Sequence, residues 1–383
     1  MKFLVITPVF NGMPHIKKCI GSVRGQLRPS VAQMSDVKCQ RSDVLISDIR
    51  SSAVAEAMAD KTISETGSKI DVQHIIQDGG STDGTVEFLR DYMAQQPATS
   101  NYQPSFISEA DKGMYDAINK GWAKAIEMND AERSTEGMAH STFNVQHLIS
   151  HPPNQPNNQS AYQPDAEDCI LSWLNHDEQY LPGTLEKVAQ VFAGHPEVDL
   201  VYGNYIISTP DGLPISARRE IPLRMLYLRH TNLYAASCTM FFRRKIWEAG
   251  ELKFDINYKV AGDMELVMRL LSKGYKPLHI DSYLALFGAD GGNLSVSMGD
   301  LNWKEISRLW SIYHGFGNPL VRKGIKALRW IERFFSGCYR SDDLAFDYAE
   351  DEVPNYRRVE ADKVTFRFGF DKINELVRKR CQD

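Results

Sequence analysis

The sequence predicts an α/β protein, a doubly wound mixed sheet followed by a helical C-terminal extension. Three observations carry this. Short apolar runs alternate with stretches of helical periodicity through the first 125 residues, and clusters of Gly, Asn, Asp and Ser follow the apolar runs. After about residue 300 the pattern changes to basic and aromatic residues interleaved at helical spacing.

Taken in order, Phe3–Thr7 is a continuous apolar run and reads as a buried strand, followed by helical spacing over His15–Val23. Val72–Gln77 is a second strand and Thr85–Met93 a second helix, with Thr82 or Asp83 placed to cap it. Ser105–Ser108 is a third strand, followed by a helix over Met114–Met128. Strands that alternate with helices imply parallel pairing, and such sheets bind ligands at the carboxyl ends of their strands. The polar clusters that begin at Thr7, Asp78 and Glu109 therefore gather on one edge. Further on, Ile170–Leu174, Leu200–Ile207, Thr239–Phe242, Leu278–Ile280 and Tyr283–Phe287 read as strands. Leu181–Phe192, opened by Pro182, and the amphipathic Val260–Leu271 read as helices. No internal repeat is present.

Two stretches interrupt this alternation. Residues 28–69 are long for one connection, although Ser51–Ala59 has the composition of a helix. Residues 129–168 contain the Pro/Asn/Gln-rich run 151–159, which reads as a mobile surface loop. Residues 1–295 are thus expected to form the main domain with two inserts, and 296–383 a helical extension. Within Leu320–Phe335, Val321, Ile325, Leu328, Ile331 and Phe335 keep helical spacing, while Arg322, Lys326, Arg329 and Arg333 share the other side. Two readings follow: a helix docked on its own domain with a solvated basic face, or a peripheral membrane contact through 320–335.

Composition bounds the class. The 383 residues are 43% hydrophobic and 24% charged, with a net charge of -5, which is ordinary for a globular protein and lacks the basic domain of a nucleic-acid binder. Cys19, Cys39, Cys169, Cys238, Cys338 and Cys381 are scattered without metal-like spacing and read as free thiols of a reducing compartment. Met1–Pro8 lacks the pattern of a signal peptide, and no run reaches the ~18 apolar residues of a membrane helix. The expectation is a cytoplasmic protein, with the inner face of the plasma membrane as the site of any peripheral contact.

The strand-end clusters lack both the G-x-G-x-x-G and the G-x-x-x-x-G-K-[ST] spacing. Phosphate must then be held another way, and a divalent ion gripped by one or two carboxylates meets that need. Leu174-Asn175-His176-Asp177-Glu178 supplies carboxylates between a buried strand and a helix. By itself an Asp-Glu pair in a turn is a solvated surface feature.

Four segments occur in order: Thr7-Pro8-Val9-Phe10-Asn11, the Asp78-Gly79-Gly80-Ser81-Thr82-Asp83-Gly84-Thr85 run, the Ser108 to Gly121 run, and Leu174-Asn175-His176-Asp177-Glu178. Together they resemble the family 2 glycosyltransferases of GT-A fold, the nucleotide-diphospho-sugar transferase fold, over roughly residues 1–295. The resemblance implies that Thr7, Pro8, Val9 and Asn11 wall the base and ribose, and that Asp78 pairs with the base edge. It sets Asp111 and Lys112 beside the nucleotide and its phosphates. Tyr115, Asp116 and Asn119 are either helix-packing or sugar-facing, and Asn175 lies near donor or acceptor. Asp177 and Glu178 stand at the metal motif for Mn²⁺ or Mg²⁺, with Glu in place of the second Asp, and His176 reads as packed or solvated. Asp83 reads as a helix cap.

The same resemblance makes Asp263 the catalytic base, although alone it reads as a cap on the helix that follows, with Glu265 and Arg269 structural. The family often has a histidine or arginine after its last strand, whereas Phe287 to Asn293 here contains no basic residue. The implied partners are a UDP- or GDP-sugar donor and a saccharide or lipid-linked acceptor, with no nucleic acid. The competing readings are a nucleotidyltransferase, whose Gly-rich, Arg-bearing first loop is absent here, and a non-catalytic sugar-nucleotide binder.

Overall fold

A computed structural model describes residues 1–27, 70–95, 101–141, 169–289, 297–353 and 355–366. The expected helix at Ser51–Ala59, the loop at 151–159, and Cys39 and Cys381 lie outside the described residues, as do 290–293 of the segment after the last strand.

Strand β1 (Lys2–Val9) is buried from its second residue onward and leads to helix α1 (His15–Arg24). Strand β2 (Asp71–Asp78), helix α2 (Thr85–Gln95), strand β3 (Tyr102–Ser108) and helix α3 (Met114–Ser141) follow. Helix α3 runs on to Ser141, beyond the end expected at Met128. Next come β4 (Cys169–Trp173), β5 (Gln179–Tyr180), α4 (Thr184–Gly194) and β6 (Leu200–Ser208). Strand β7 (Pro214–Arg218), α5 (Met225–Leu228), β8 (Phe241–Arg243) and α6 (Arg244–Glu248) lead to α7 (Gly262–Ser272). Strand β9 (Pro277–Gly288) joins the two strands expected at 278–280 and 283–287 into one, with register shifts against β6 at Gly203 to Tyr205.

The sheet order is β3-β2-β1-β4-β8-β6-β9-β5, with β7 paired to β6. β1, β2, β3 and β4 are mutually parallel, and β8 runs antiparallel to both β4 and β6. The expected doubly wound mixed sheet is therefore present. Its two faces follow from the period of two in β1. Phe3 and Val5 pack with Cys19 and Val23 of α1 and Leu185 and Val188 of α4. Leu4 and Ile6 pack on the other face with Trp122 of α3 and Met264 and Met268 of α7. An aromatic cluster fills that second face: Trp122 stacks on Phe254 at 5.5 Å and meets Trp173 edge-on at 5.7 Å, while Trp173 stacks on Phe242 at 5.9 Å.

The C-terminal part holds helices α8 (Gly299–Ile312) and α9 (Pro319–Phe335), and then a hairpin that the sequence reading took for helix. Strands β10 (Asp342–Ala349) and β11 (Tyr356–Val364) pair antiparallel. The reason is an alternation of two rather than 3.6: Leu344, Phe346 and Tyr348 turn inward together and pack with Ile206 and Tyr283 of the main sheet and with Leu181 just past β5. Ile306, Leu309, Ile325 and Cys338 join the same cluster as Trp122 and Trp173. Residues beyond 297 thus complete the main core. The four described cysteines, Cys19, Cys169, Cys238 and Cys338, are buried free thiols.

Trp122 is fully buried at the centre of the aromatic cluster, and the tightly wedged rings around it limit collapse. Trp122→Ala is expected to lower stability by about 3–5 kcal/mol, seen as a lower urea midpoint at unchanged m-value.

Candidate active site

The carboxyl ends of β1, β2 and β3 lie side by side, with Val9 opposite Asp78 and Asp78 opposite Ser108. The loops that leave them are zipped together. Asn11, in the left-handed region at φ 51, donates its backbone N–H to Ser81 Oγ at 2.7 Å and accepts from Thr82 N at 2.9 Å through Oδ1. Asp83 accepts from Met13 N at 3.0 Å and from Thr85 N at 3.1 Å, so it ties the first loop to the start of α2 from one residue before the N-cap position.

Asp78 is fully buried. Its carboxylate accepts from Gly80 N at 3.0 Å, from Ser81 N and Oγ, and from Ser108 Oγ at 2.6 Å. These donors fill the lone-pair sites of both oxygens, so in this conformation Asp78 builds the turn and leaves no site for a base edge. Gly79 permits a close approach: a Cβ there would sit 2.6 Å from Asp111 Oδ2. Asp111 in turn accepts from Gly113 N at 2.7 Å. Lys112 is exposed, and its carbonyl accepts from Lys259 Nζ at 3.2 Å.

Several expected site residues are buried or bonded to other parts of the chain. Thr7, Pro8 and Val9 are buried residues of β1, with Val9 at its carboxyl end, so of the four set to wall the base and ribose only Asn11 is exposed. Thr7 Oγ1 is bonded to His74 Nε2 at 2.8 Å, a buried pairing that turns it away from the edge. Asn119 forms two hydrogen bonds to the backbone of Phe254, at 2.9 and 2.8 Å. Asp116 accepts from Lys112 N at 3.0 Å and pairs with Lys120 at 3.5 Å. Tyr115 is buried, stacks on Phe254 at 4.7 Å, donates to Val260 O at 2.8 Å and accepts from Gly262 N at 3.0 Å. These three side chains hold loops and helix ends in this structure. Gly262 makes this approach possible, since a Cβ there would meet the Tyr115 ring at 2.6 Å.

After β4 the chain closes a tight turn: Glu178 N donates to Asn175 O at 3.0 Å, and Asn175 N donates to Glu178 Oε2 at 2.9 Å. The Asn175 side chain oxygen has no hydrogen-bond partner in this structure. His176 packs its ring against Gly12. Glu178 is 1% exposed, and burial, then the charge of Asp177, pushes its carboxyl well above the usual carboxylate range. The cavity beside it is about 10 Å³, room for roughly one water. A grip by both carboxylates therefore does not fit, because Glu178 closes the turn instead of facing out. A hard dication held by one carboxylate and substrate phosphates fits the half-buried Asp177.

Asp263 is the second residue of α7 and does not cap it; the N-cap is Ala261, without a side-chain cap. The turn before the helix is held from α8: Glu305 accepts from Lys259 N at 2.7 Å, Val260 N at 3.0 Å and Ala261 N at 2.8 Å, the three residues that lead into α7. Asp263 accepts from Met264 N at 2.7 Å and lines a cavity of about 720 Å³, within the usual range for ligand pockets. Burial first, and the negative charge of Glu305 in addition, raise its carboxyl to about 6, which suits a general base near neutral pH.

Helices α8 and α9 roof this cavity through Trp303, Lys326, Arg329 and Trp330. Helix α9 is turned opposite to the docked helix expected. Leu320 is 75% exposed and Phe335 77%, with Leu328, Ile331 and Phe334 also outward, while Ile325 and Arg333 are its buried residues. The inward arginines have partners there, since Arg333 pairs with Glu220 at 2.9 Å and Arg329 lies over Tyr234 at 4.3 Å, although the Nε of each has no hydrogen-bond acceptor. Sequence reasoning passed over Glu305 and the Arg218 side chain of this cavity, because their partners are distant in the chain. It also assigned no role to Phe10, which stands 61% exposed at the end of β1 and was signalled by an aromatic residue just past a strand.

No protein-family model matches the chain, and no curated protein matches it in sequence. Solved structures that it resembles include S. aureus TarS 1-349 in complex with UDP-GlcNAc, at TM-score 0.46 and 14% identity over 88% of this chain and 73% of that one. Another is the mannosyltransferase PcManGT from Pyrobaculum calidifontis in complex with GDP-Man and Mn²⁺, at TM-score 0.41 and 13% identity over 88% and 75%. The chain spans 44% of the length of a further S. aureus TarS structure, at TM-score 0.44 and 13% identity.

Glu305→Ala removes one acceptor from three backbone donors. It is expected to lower the melting free energy by about 2–4 kcal/mol and to raise hydrogen exchange at residues 259–264. Melting curves and exchange equal to wild type would show that the clamp does not hold α7.

Proposed function

We propose that this protein is an inverting glycosyltransferase of GT-A type, moving a sugar from a UDP- or GDP-sugar to a hydroxyl of a saccharide or lipid-linked acceptor. The observation that carries the reading is Asp263: a carboxylate with raised proton affinity, on a 720 Å³ cavity, joined through Tyr115 to the strand ends that carry the nucleotide motifs. In this reading the donor lies along the edge made by Asn11, the Gly79–Gly80 turn, Asp111 and Lys112. The exposed Phe10 offers a face on which a base can stack. Asp78 acts by holding the turn, and reads a base edge only if Ser81 or Ser108 lets go.

Asp263 removes the proton of the acceptor hydroxyl as that oxygen attacks the anomeric carbon from the face opposite the nucleotide. The bond from that carbon to the diphosphate oxygen breaks with its electron pair, so the configuration inverts. Mn²⁺ or Mg²⁺, held by Asp177 and the diphosphate, would supply neutralising charge for the leaving group. The inward-turned Glu178 is the feature that favours the second reading, a non-catalytic sugar-nucleotide binder.

Asp263→Asn keeps the shape and removes the base. Its melting temperature is expected to rise with UDP- or GDP-sugar plus Mn²⁺ as in wild type, while transfer drops by at least a hundredfold. Wild-type transfer rises as pH increases through about 6 and then levels, because the raised carboxyl must lose its proton to act. Near-wild-type turnover by the Asn variant removes Asp263 from the mechanism.

The outer face of α9, apolar and bordered by the exposed Lys323 and Lys326, suits a peripheral seat on an anionic bilayer. The protein should sediment with phosphatidylglycerol vesicles more than with phosphatidylcholine vesicles. Leu320→Glu with Phe335→Glu should abolish this, and equal sedimentation of that variant would exclude the helix as the contact.

A further inference from the structure

The cavity at Asp263 carries charges that proton removal does not use. Its lining includes four cationic side chains, Arg218, Lys326, Arg329 and Arg333, against two carboxylates, Glu220 and Asp263. Glu220 is already paired with Arg333 at 2.9 Å. Arg218 is only 7% exposed, yet its Nε and Nη2 have no hydrogen-bond partner. Its guanidinium lies over the Phe366 ring at 4.1 Å, a contact that fixes the plane of the group and offers its N–H edge no acceptor. Arg333 lies against the same ring at 4.3 Å. Crowding is felt nearby, since burial and then the charge of Arg333 lower the proton affinity of Arg329.

Buried guanidinium donors without acceptors are costly, and two N–H groups on one fixed plane match the paired oxygens of a phosphate or carboxylate. Trp303, Trp330 and Tyr234 of the same lining offer flat faces for the apolar side of a sugar ring.

We propose that this cavity binds an anionic acceptor, a saccharide bearing a phosphate or carboxylate that Arg218 ligates while its free hydroxyl faces Asp263. The proposal deepens the glycosyltransferase reading and rests on it. The anion can belong to a soluble sugar phosphate or sugar acid, or to the phosphate of a lipid carrier.

The test is a titration of the full chain, followed by tryptophan emission, since Trp303, Trp310 and Trp330 line the cavity. The probes are glucose 1-phosphate, glucuronate, glucose and a short-chain prenyl-phosphate glucose in mild detergent. Saturable binding is expected for at least one anionic probe and not for glucose at equal concentration. Tighter binding of the prenyl probe assigns the anion to a lipid carrier, and tighter binding of a soluble probe assigns it to a free saccharide. Arg218→Gln should weaken the anionic probes about ten- to a hundredfold, and Arg218→Lys should recover part of the loss. If Arg218→Gln does not fold, Arg329→Gln is read in the same way. Equal affinity for glucose and glucose 1-phosphate, or affinities unchanged by the variants, overturns the proposal. A parallel thermal shift with UDP or GDP and Mn²⁺ separates the two readings. Donor response without anionic-sugar binding overturns the anionic acceptor alone, and loss of both overturns the glycosyltransferase reading as well.

Discussion

Three backbone N–H groups at residues 259–261 converge on the carboxylate of Glu305, and the geometry of the site depends on that contact. Helix α7 has no cap of its own, because Ala261 cannot accept a hydrogen bond through its side chain. Glu305, more than forty positions along, instead holds the three residues that lead into α7. From the other side Tyr115 grips the same turn, and Asn119 holds the backbone of Phe254 under it. The start of α7 is thus clamped between α3 and α8, and Asp263 rides on the clamped turn. The clamp also tunes it. The negative charge that holds the preceding turn adds to burial in raising the proton affinity of Asp263, so one side chain both positions that carboxylate and makes it more basic.

The carboxylates sort by solvation. Asp78 is buried but saturated by backbone and serine donors, which makes it a fixed brace for the Gly79–Gly80 turn. Glu178 is buried with one oxygen lacking a hydrogen bond, and it closes the turn after β4. Asp263 alone of the three lines a large cavity. The same side-chain chemistry therefore does three jobs, decided by how many donors reach each group and whether solvent-sized space adjoins it. The pairing of Gly79 with Asp111 and of Gly262 with Tyr115 shows the complementary device: a missing Cβ lets a functional loop and a helix end come within contact distance.

Helix α9 shows how buried charge can set orientation. Burying Arg333 and Glu220 together removes both from water, a cost that the pair recovers only in part. The aromatic rings of Tyr339 and Phe366 over Arg333, and of Tyr234 beneath Arg329, add contacts to planar cations that an ammonium would not match. The arrangement sends Leu320, Leu328 and Phe335 outward and leaves a cationic lining around the cavity.

The sequence by itself determined the alternation of strands and helices, because the two-residue period of a strand and the 3.6-residue period of a helix are local properties of a side-chain pattern. It also placed the polar clusters at Asn11, Asp78, Asp111 and Asp177 after strands, where parallel pairing sets them along one edge. It singled out Asp263 through a resemblance, not through its neighbours in the chain. Tertiary structure decided the rest. A local pattern cannot show that Thr7 faces His74, that Glu178 turns inward, that Asp78 is saturated by Ser108, or that α9 docks on its basic side. Each depends on a partner brought close by folding, and the free energy of a polar group is set by those partners and by lost water. That is also why two groups unremarkable in their own segments matter to Asp263, Glu305 by holding the turn before it and Arg218 by lining its cavity.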